Sequence, residues 1–234
     1  KKIKQQTTKS QQNIGVLLPP SVAGTIVNLA CWFNGLTVVN LNYTTSPDAF
    51  EHAIQAANIK TVISSSTFLK KLEQKSMHPP AVKVDWMILE SVRSQKDQVI
   101  MARNLILIKC LPTFVLSALT IKQRALNDTA AILFSSGSEG TPKGVELTHR
   151  NLIANCKQIA SVFSMEETDA VLSSLPLFHA FGLTVTMLLP LLEGLFFVCH
   201  PDPSDVVKLS RLISTHQLTL LCGTSSLFKL YCKH

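Results

Sequence analysis

"NIGVLLPPSVAGTIVNLACWFNGLTVVNLNYTTSPDAFEHAIQAANIKTVISS", residues 13–65, switches between two kinds of apolar pattern. "NIGVLL" (13–18) is a short apolar run ended by Pro19 and Pro20, and reads as a buried strand. Residues 21–34 read as a helix stopped by Gly35, and "TVVNLN" (37–42) as a second strand. Ser46, Pro47 and Asp48 supply a cap, a proline at the first helical position and an acid in the first turn. Phe50, Ala53, Ile54 and Ala57 then recur at i, i+3, i+4 and i+7, which is one face of a helix. "TVISS" (61–65) follows as a third strand. A β-α-β-α-β order of this kind calls for parallel strands joined by right-handed crossovers, and so for a doubly wound α/β sheet.

The 234 residues suffice for one large domain or two small ones around a sizeable core. Hydrophobic residues make up 46% and charged residues 16%, against about 25% charged in a typical soluble domain. The chain therefore reads as globular, with contact to lipid left open. A net charge of +7 favours anionic partners: nucleotides, acidic carrier proteins or an anionic membrane surface. Lys1, Lys2 and Lys4 supply part of that charge, and no Lys/Arg cluster is interleaved with aromatics, so no nucleic-acid partner is expected. The six cysteines form no CxxC pair and no metal-ligand spacing, which fits reduced core thiols and predicts no metal set. Residues 1–12 lack an apolar signal region and read as a disordered or linker start.

Two stretches invite a membrane reading. Residues 10–47 contain no charge, and "VAGTIVNLACWFNGLTVVNL" (22–41) is about as long as a bilayer span. Asn28, Asn34, Asn40 and Gly35 nonetheless divide it into a helix and a strand, so a buried α/β unit is expected. "VIMARNLILIKCLPTFVLSAL" (99–119), interrupted by Arg103, Lys109 and Pro112, reads either as a helix packed on the domain or as a lipid-facing surface element.

In the second half, "AAILF" (130–134) and "GVELT" (144–148) read as strands around a Gly/Ser loop. Thr148 caps a helix whose expected inner face is Leu152, Ile153, Cys156, Ile159 and Phe163. "LPLFHAFG" (175–182) leads into a Leu-rich helix over 183–193 closed by Gly194. A strand "LFFVCH" (195–200), an α/β pair over 205–222 and a helix in "SSLFKLYCKH" (225–234) complete the order.

The loop "SSGSEGTPKG" (135–144) carries the most chemistry. Gly137, Gly140 and Gly144 let main-chain N–H groups approach a ligand, and a run of such groups forms an anion nest. Ser135, Ser136, Ser138 and Thr141 add hydroxyl donors, Lys143 a mobile charge, and Pro142 stiffens the backbone beside it. A Walker A loop needs GxxxxGK[ST] followed at once by a helix. This segment reads GxxGxxKG and runs on as a strand, which argues against a P-loop NTPase. A plain flexible hairpin would explain neither the lysine nor the density of donors. His200 and Asp205, in "HPDPSD" (200–205), have the H-x₄-D spacing of glycerolipid acyltransferases, but two residues in a proline-rich turn are read as coincidence.

"SSGSEGTPKG" resembles the phosphate-binding signature of the adenylate-forming (AMP-binding) superfamily, most members of which carry Thr or a similar small residue in place of Glu139. The wider combination of "AAILFSSGSEGTPKGVELTHRNLIAN", "LPLFHAFGLTVTMLLPLLEGLFFVCHPDPSD" and "LLCGTSSLF" resembles the synthetase half of the bacterial bifunctional acyl-acyl-carrier-protein synthetase/2-acylglycerophosphoethanolamine acyltransferases. The likeness runs through nearly everything from Ile14 onward. It implies the Rossmann-like layered α/β fold of the family's large N-terminal domain, partial and truncated, over residues 13–234. It also implies ATP and Mg²⁺ as cofactors, a fatty acid as substrate and an acyl carrier protein, or CoA, as thiol acceptor. A lysophospholipid would be the final acceptor in a full-length parent at the cytoplasmic side of the bacterial inner membrane.

By the same resemblance, Ser135, Ser136, Gly137, Ser138, Glu139, Gly140, Thr141 and Lys143 hold the phosphates, with Lys143 the candidate catalytic residue. "PLFHAFG" lines the acyl pocket, giving His179, Phe181 and Gly182 as substrate residues. "GTSS" adds Gly223 and Thr224, which read equally as a turn and helix cap. A histidine among apolar residues, taken alone, is also the pattern of a satisfied core histidine. The family's adenine-, ribose- and hinge-region motifs are not found in the sequence, so the chain is expected to show little ligase activity by itself. A fatty acyl-CoA ligase and a non-catalytic lipid-surface module, with Glu139 repelling phosphate, are the rival readings.

Overall fold

The computed structural model describes Ile3 and residues 12–75, 77, 83–92, 108–135 and 141–233. Within it the chain divides into two compact units, residues 1–18 with 27–146 and residues 19–26 with 147–234.

The first unit is built on β1 (Asn13–Leu17), α1 (Val22–Phe33, from Val27 onward), β2 (Thr37–Asn40), α2 (Pro47–Ala56), β3 (Thr61–Ser64), α3 (Ser66–Gln74) and β4 (Asp85–Ile88). A 3₁₀ turn (Leu89–Val92), α4 (Thr113–Thr120), β5 (Thr129–Phe134) and β6 (Gly144–Thr148) follow. The six strands form one sheet in the order β4-β3-β1-β2-β5-β6. The pairs β1–β2, β1–β3, β3–β4 and β2–β5 are parallel. From β1 the chain steps to β2, crosses back to β3 and β4, then returns to β5 beside β2. That reversal makes the sheet doubly wound.

The pleat sends successive side chains to opposite faces, and both faces are covered. Ile14, Val16, Val38 and Ile63 pack with Val27 and Cys31 of α1. Leu17, Val39 and Val62 pack on the other face with Phe50, Ala53 and Ile54 of α2 and Leu72 of α3. Burial on both faces explains why these strands read as unbroken apolar runs instead of alternating ones. Gly15 keeps the second face tight: a Cβ there would meet Val62, Leu41 and Ile59 at 3.0–3.2 Å.

The punctuation residues act as their chemistry dictates. Ser46 caps α2 by accepting from the Ala49 N–H, and Gly35 ends α1 at φ +68°, a conformation costly for any residue with a Cβ. Two buried asparagines of the charge-free stretch pair with one another. Asn28 and Asn40 are buried and exchange side-chain hydrogen bonds of 3.2 and 2.9 Å. No helix among the described residues is long and apolar enough to cross a membrane. Residues 22–41 instead form α1 and the buried β2.

The second unit contains α5 (His149–Phe163), β7 (Ala170–Ser173), α6 (Ala180–Leu183), a π turn (Thr184–Leu188), α7 (Leu189–Glu193), β8 (Phe196–Cys199), α8 (Val206–His216), β9 (Leu220–Leu221) and α9 (Ser225–Tyr231). Its three strands are parallel, in the order β8-β7-β9. The π turn has a cause in the sequence. Pro190 has no N–H to return to the preceding turn, and the Leu189 N–H reaches back to the Thr184 carbonyl, the i→i+5 pattern of a π turn. The Thr184 and Thr186 hydroxyls donate to the carbonyls of Ala180 and Gly182 at 2.7 and 2.9 Å.

Three expectations meet a different structure or none. On α5 only Leu152 and Cys156 are buried, while Ile153 and Phe163 are exposed; this helix buries a narrower stripe than its apolar content suggests. The cysteines are not uniformly core thiols. Cys31 and Cys156 are buried, Cys199 and Cys222 half-buried, and Cys110 and Cys232 exposed. Burial pushes the Cys31 thiol up to about 12 and, with the nearby Glu193 carboxylate, Cys156 to about 11. Residues 1–2, 4–11 and 99–107 lie outside the described residues.

Candidate functional site

In open α/β sheets, ligands bind beyond the carboxyl ends of the strands. The Gly/Ser loop leaves the sheet at such an end, after Phe134 of β5. Its base is closed by two bonds. The Ser135 N–H donates to the Lys143 carbonyl at 3.0 Å, and the Lys143 N–H donates to Ser135 Oγ at 3.1 Å. Gly144, where β6 begins, sits against the preceding strand so closely that a Cβ would meet Ile132 and Phe134 at 3.2 Å. Ser135, Thr141 and Lys143 are exposed. Ser136, Gly137, Ser138, Glu139 and Gly140 lie outside the described residues.

A residue that sequence reasoning missed holds the return arm. His52, on α2, lies with Nε2 3.0 Å from the Pro142 carbonyl oxygen. Only the ring N–H can donate in that pair, which fixes a proton on Nε2. The same imidazole meets the Phe134 ring edge-on, with centroids 6.5 Å apart. One side chain thus touches the residue before the loop and the residue before Lys143. Its signal in sequence is faint: a histidine beside an otherwise apolar helical face, 90 residues from its partner.

The second unit contains an apolar cavity of about 260 Å³, lined among others by Ile159 and Phe163 of α5, Phe181, Val185 and Leu189, and Cys222, Gly223 and Phe228. The apolar excess of α5 thus has a use: Ile159 and Phe163 face this space. Of the sequence-derived substrate residues, Phe181 and Gly223 line the cavity. Thr224 caps α9 by accepting from the Leu227 N–H. His179 is the N-cap residue of α6, its ring against Phe178 with centroids 4.5 Å apart, and partial burial holds its imidazole below the ordinary histidine range.

Gly182 does not line the cavity. It is buried, and a Cβ there would lie 2.1 Å from the Pro176 carbonyl oxygen and 2.8 Å from that of Leu175. Its requirement is a close backbone approach. It seats the first turn of α6 on the Leu175–Pro176 backbone and so aims Phe181.

The His200–Asp205 pair, set aside in sequence as a coincidence of spacing, is brought together: Nε2 and Oδ2 are 3.5 Å apart. Asp205 also caps α8 by accepting from the Lys208 N–H at 3.2 Å. Burial pushes the His200 imidazole down, against the opposing pull of Asp205. The geometry is that of a clasp between β8 and α8. No group of three or more metal-ligating side chains occurs among the described residues.

The sequence profile of a family described as AMP-binding enzyme matches residues 3–234. A long-chain-fatty-acid–CoA ligase of Bacillus subtilis is 26% identical over 92% of this chain and 41% of its own length. A sulfoacetate–CoA ligase of Cupriavidus necator is 46% identical over 65 residues, which are 28% of this chain and 13% of that protein. Among solved structures, o-succinylbenzoate coenzyme A synthetase from Bacillus subtilis in complex with AMP superposes with a TM-score of 0.75 at 20% identity, covering 99% of this chain and 53% of that one. The same enzyme with ATP and magnesium ion gives 0.73 at 20% identity, over 97% and 42%. The chain spans about two fifths of the length of the fatty-acid ligases that it matches.

Proposed function

The chain belongs to the AMP-binding enzyme family, and on that premise we propose that it supplies the phosphate-holding and acyl-holding parts of an ATP-dependent acid–thiol ligase acting on fatty acids. The observation that carries this reading is the pairing of two features. One is a donor-rich loop closed at the carboxyl end of a parallel strand; the other is an apolar cavity with Phe181 and Gly223 in its wall. The closed loop base and the tight seat of Gly144 suit a backbone that must approach phosphate closely. Among this chain's residues, Lys143, with Ser135, Ser136, Ser138 and Thr141, would hold the phosphates. The main-chain groups around Gly137 and Gly140 would line the nest, beside Glu139.

ATP supplies the adenylyl group that activates the carboxylate, with pyrophosphate as leaving group, and Mg²⁺ would accompany the nucleotide. The task left to Lys143 is to offset charge that grows on the leaving phosphates. His179 and Phe181, flanking Ala180 at the start of α6, would stand by the acid's carboxylate while the tail lies among Val185, Leu189 and Phe163. An imidazole held below the ordinary histidine range is neutral at pH 7, so it can donate a hydrogen bond to the carboxylate without ion-pairing with it.

CoA as thiol acceptor is supported by the fatty-acid–CoA ligases among the relatives, and a carrier protein by the wider sequence resemblance. ATP–pyrophosphate exchange driven by a fatty acid tests the ligase reading. It should be measured on this chain and on a fusion that adds the remaining length of a fatty-acid relative. Exchange in the fusion that is lost on Lys143→Ala is the expected result, and a fusion without fatty-acid-dependent exchange would sink the proposal. Parallel assays with CoA and with a carrier protein then distinguish the acceptors.

A further inference from the structure

Helix α4 contradicts the usual relation between composition and burial. Its sequence, TFVLSALT, carries hydroxyls at Thr113, Ser117 and Thr120 along one face and apolar side chains over the rest of its surface, and an apolar face of that kind is normally covered by protein or by lipid. Yet none of its residues is buried. Phe114 is 75% exposed, Leu119 72% and Ile108, just upstream, 59%; Ile121 and Leu126 continue the exposed apolar surface downstream. Exposed apolar side chains gathered on one segment in this way mark an interaction site.

The segment is nevertheless anchored at its exit. The Lys122 N–H donates to the Phe33 carbonyl at 2.8 Å, and Arg124 Nε donates to the Gly35 carbonyl at 3.0 Å. Its charge has one sign. Residues 108–127 contain Lys109, Lys122 and Arg124 and no acidic residue. Arg124 is held by Gly35 and by Asp128 at 3.6 Å, while Lys109 and Lys122 bracket the apolar surface from exposed positions.

We propose that α4 and its flanks form a docking surface for an anionic lipid bilayer, with Phe114 and Leu119 entering the acyl boundary and Lys109 and Lys122 meeting the headgroups. An apolar element flanked by cations matches both layers of such an interface. A second copy of the chain would bring the same cations against these, and a protein partner would have to set acids at both ends of an apolar face, whereas an anionic bilayer supplies both layers at once. This surface shares no residue with the loop or the cavity, so the inference stands apart from the ligase reading.

The test is co-sedimentation of the full chain with vesicles of phosphatidylcholine alone and of equimolar phosphatidylcholine and phosphatidylglycerol. Binding is expected to the anionic vesicles and to weaken with salt. Phe114→Asp with Leu119→Asp should reduce it about tenfold or more. Lys109→Glu or Lys122→Glu should each reduce it about fivefold on anionic vesicles only. All four side chains are exposed, and circular dichroism checks that the variants keep their helix content. As a second readout, Phe114→Trp fluorescence should shift to the blue on anionic vesicles and be quenched by brominated lipid. The proposal is overturned if the chain stays in the supernatant or if the aspartate variants bind as well as the parent. Equal binding to both vesicle types, or a homodimer that Phe114→Asp dissociates without any vesicle binding, overturns it too.

Discussion

The cavity of the second unit makes a quantitative demand on its ligand. At about 30 Å³ per methylene, comparable to a water's share of liquid volume, its roughly 260 Å³ accommodates about eight or nine methylenes. Each buried methylene contributes about 0.8 kcal/mol, a factor of about four in affinity. Saturated fatty acids of increasing length should therefore bind about fourfold tighter per added carbon up to that number, and level off once further carbons extend into solvent. The gross gain, about 7 kcal/mol, is an upper bound on the measured one, because ordering the chain opposes it. Gly223→Leu shifts the breakpoint: a Cβ at that position makes only ordinary contacts of 3.6–3.7 Å, so the backbone there accepts a side chain, and leucine adds four carbons to the wall. The plateau should then arrive about four methylenes earlier, with the slope below it unchanged. Displacement of a fluorescent fatty acid, or calorimetry across the series, measures both. A flat dependence on chain length, or a breakpoint that ignores Gly223→Leu, would refute the assignment of this cavity to the acyl tail.

Three further perturbations test other parts of the structure. His52→Ala removes the donor that holds the Pro142 carbonyl, which should cost about 1 kcal/mol of stability in urea titration and weaken ATP binding by calorimetry; unchanged ATP affinity would detach His52 from the loop. Gly182→Ala drives a Cβ into the Pro176 and Leu175 carbonyls and should destabilise the chain by about 3 kcal/mol; a loss below about 1 kcal/mol would mean that this approach is slack. Glu90 accepts from the Ser66 and Thr67 N–H groups at the start of α3, which lowers its carboxyl from 4.5 to about 2. The ionised form is thus favoured by the fold, and its stabilisation is complete above pH 4.5 and lost as the pH falls toward 2. Being exposed, the group contributes only about 0.5–1 kcal/mol. Thermal melts of the parent and Glu90→Gln should differ by that amount near neutrality and converge in acid, and a gap that persists in acid would exclude the carboxylate as its source.

The doubly wound sheet was legible because its determinants are local. Ser46-Pro47-Asp48, Gly35 and Gly194 punctuate the chain through backbone chemistry that needs no partner, and the Phe50–Ala57 face reports one covering sheet. The α5 face misled for the opposite reason. Ile159 and Phe163 carry the period of a core stripe but line a cavity, and periodicity cannot distinguish packing against protein from packing against space. That cavity draws on residues from Ile159 to Phe228, so no window of sequence contains it. The loop was recognisable from its glycines, hydroxyls and lysine, whereas His52 was not, since its partner stands far along the chain. Gly182 was noticed for the right segment, but its steric role depends on a carbonyl that only the folded turn brings near.

The π turn between α6 and α7 has a consequence for how this wall can change over generations. Phe181, Val185 and Leu189 stand four residues apart and all face the cavity. In a regular α-helix each fourth residue is turned about 40° further round, so such a row would wind away. The wider π turn takes up that excess and keeps the three in line. Losing a single residue within Thr184–Leu188 would rewind the turn and swing Phe181 relative to Leu189, re-lining the space without altering any side chain. Here an indel, more than a point substitution, is the economical route to a new acyl preference.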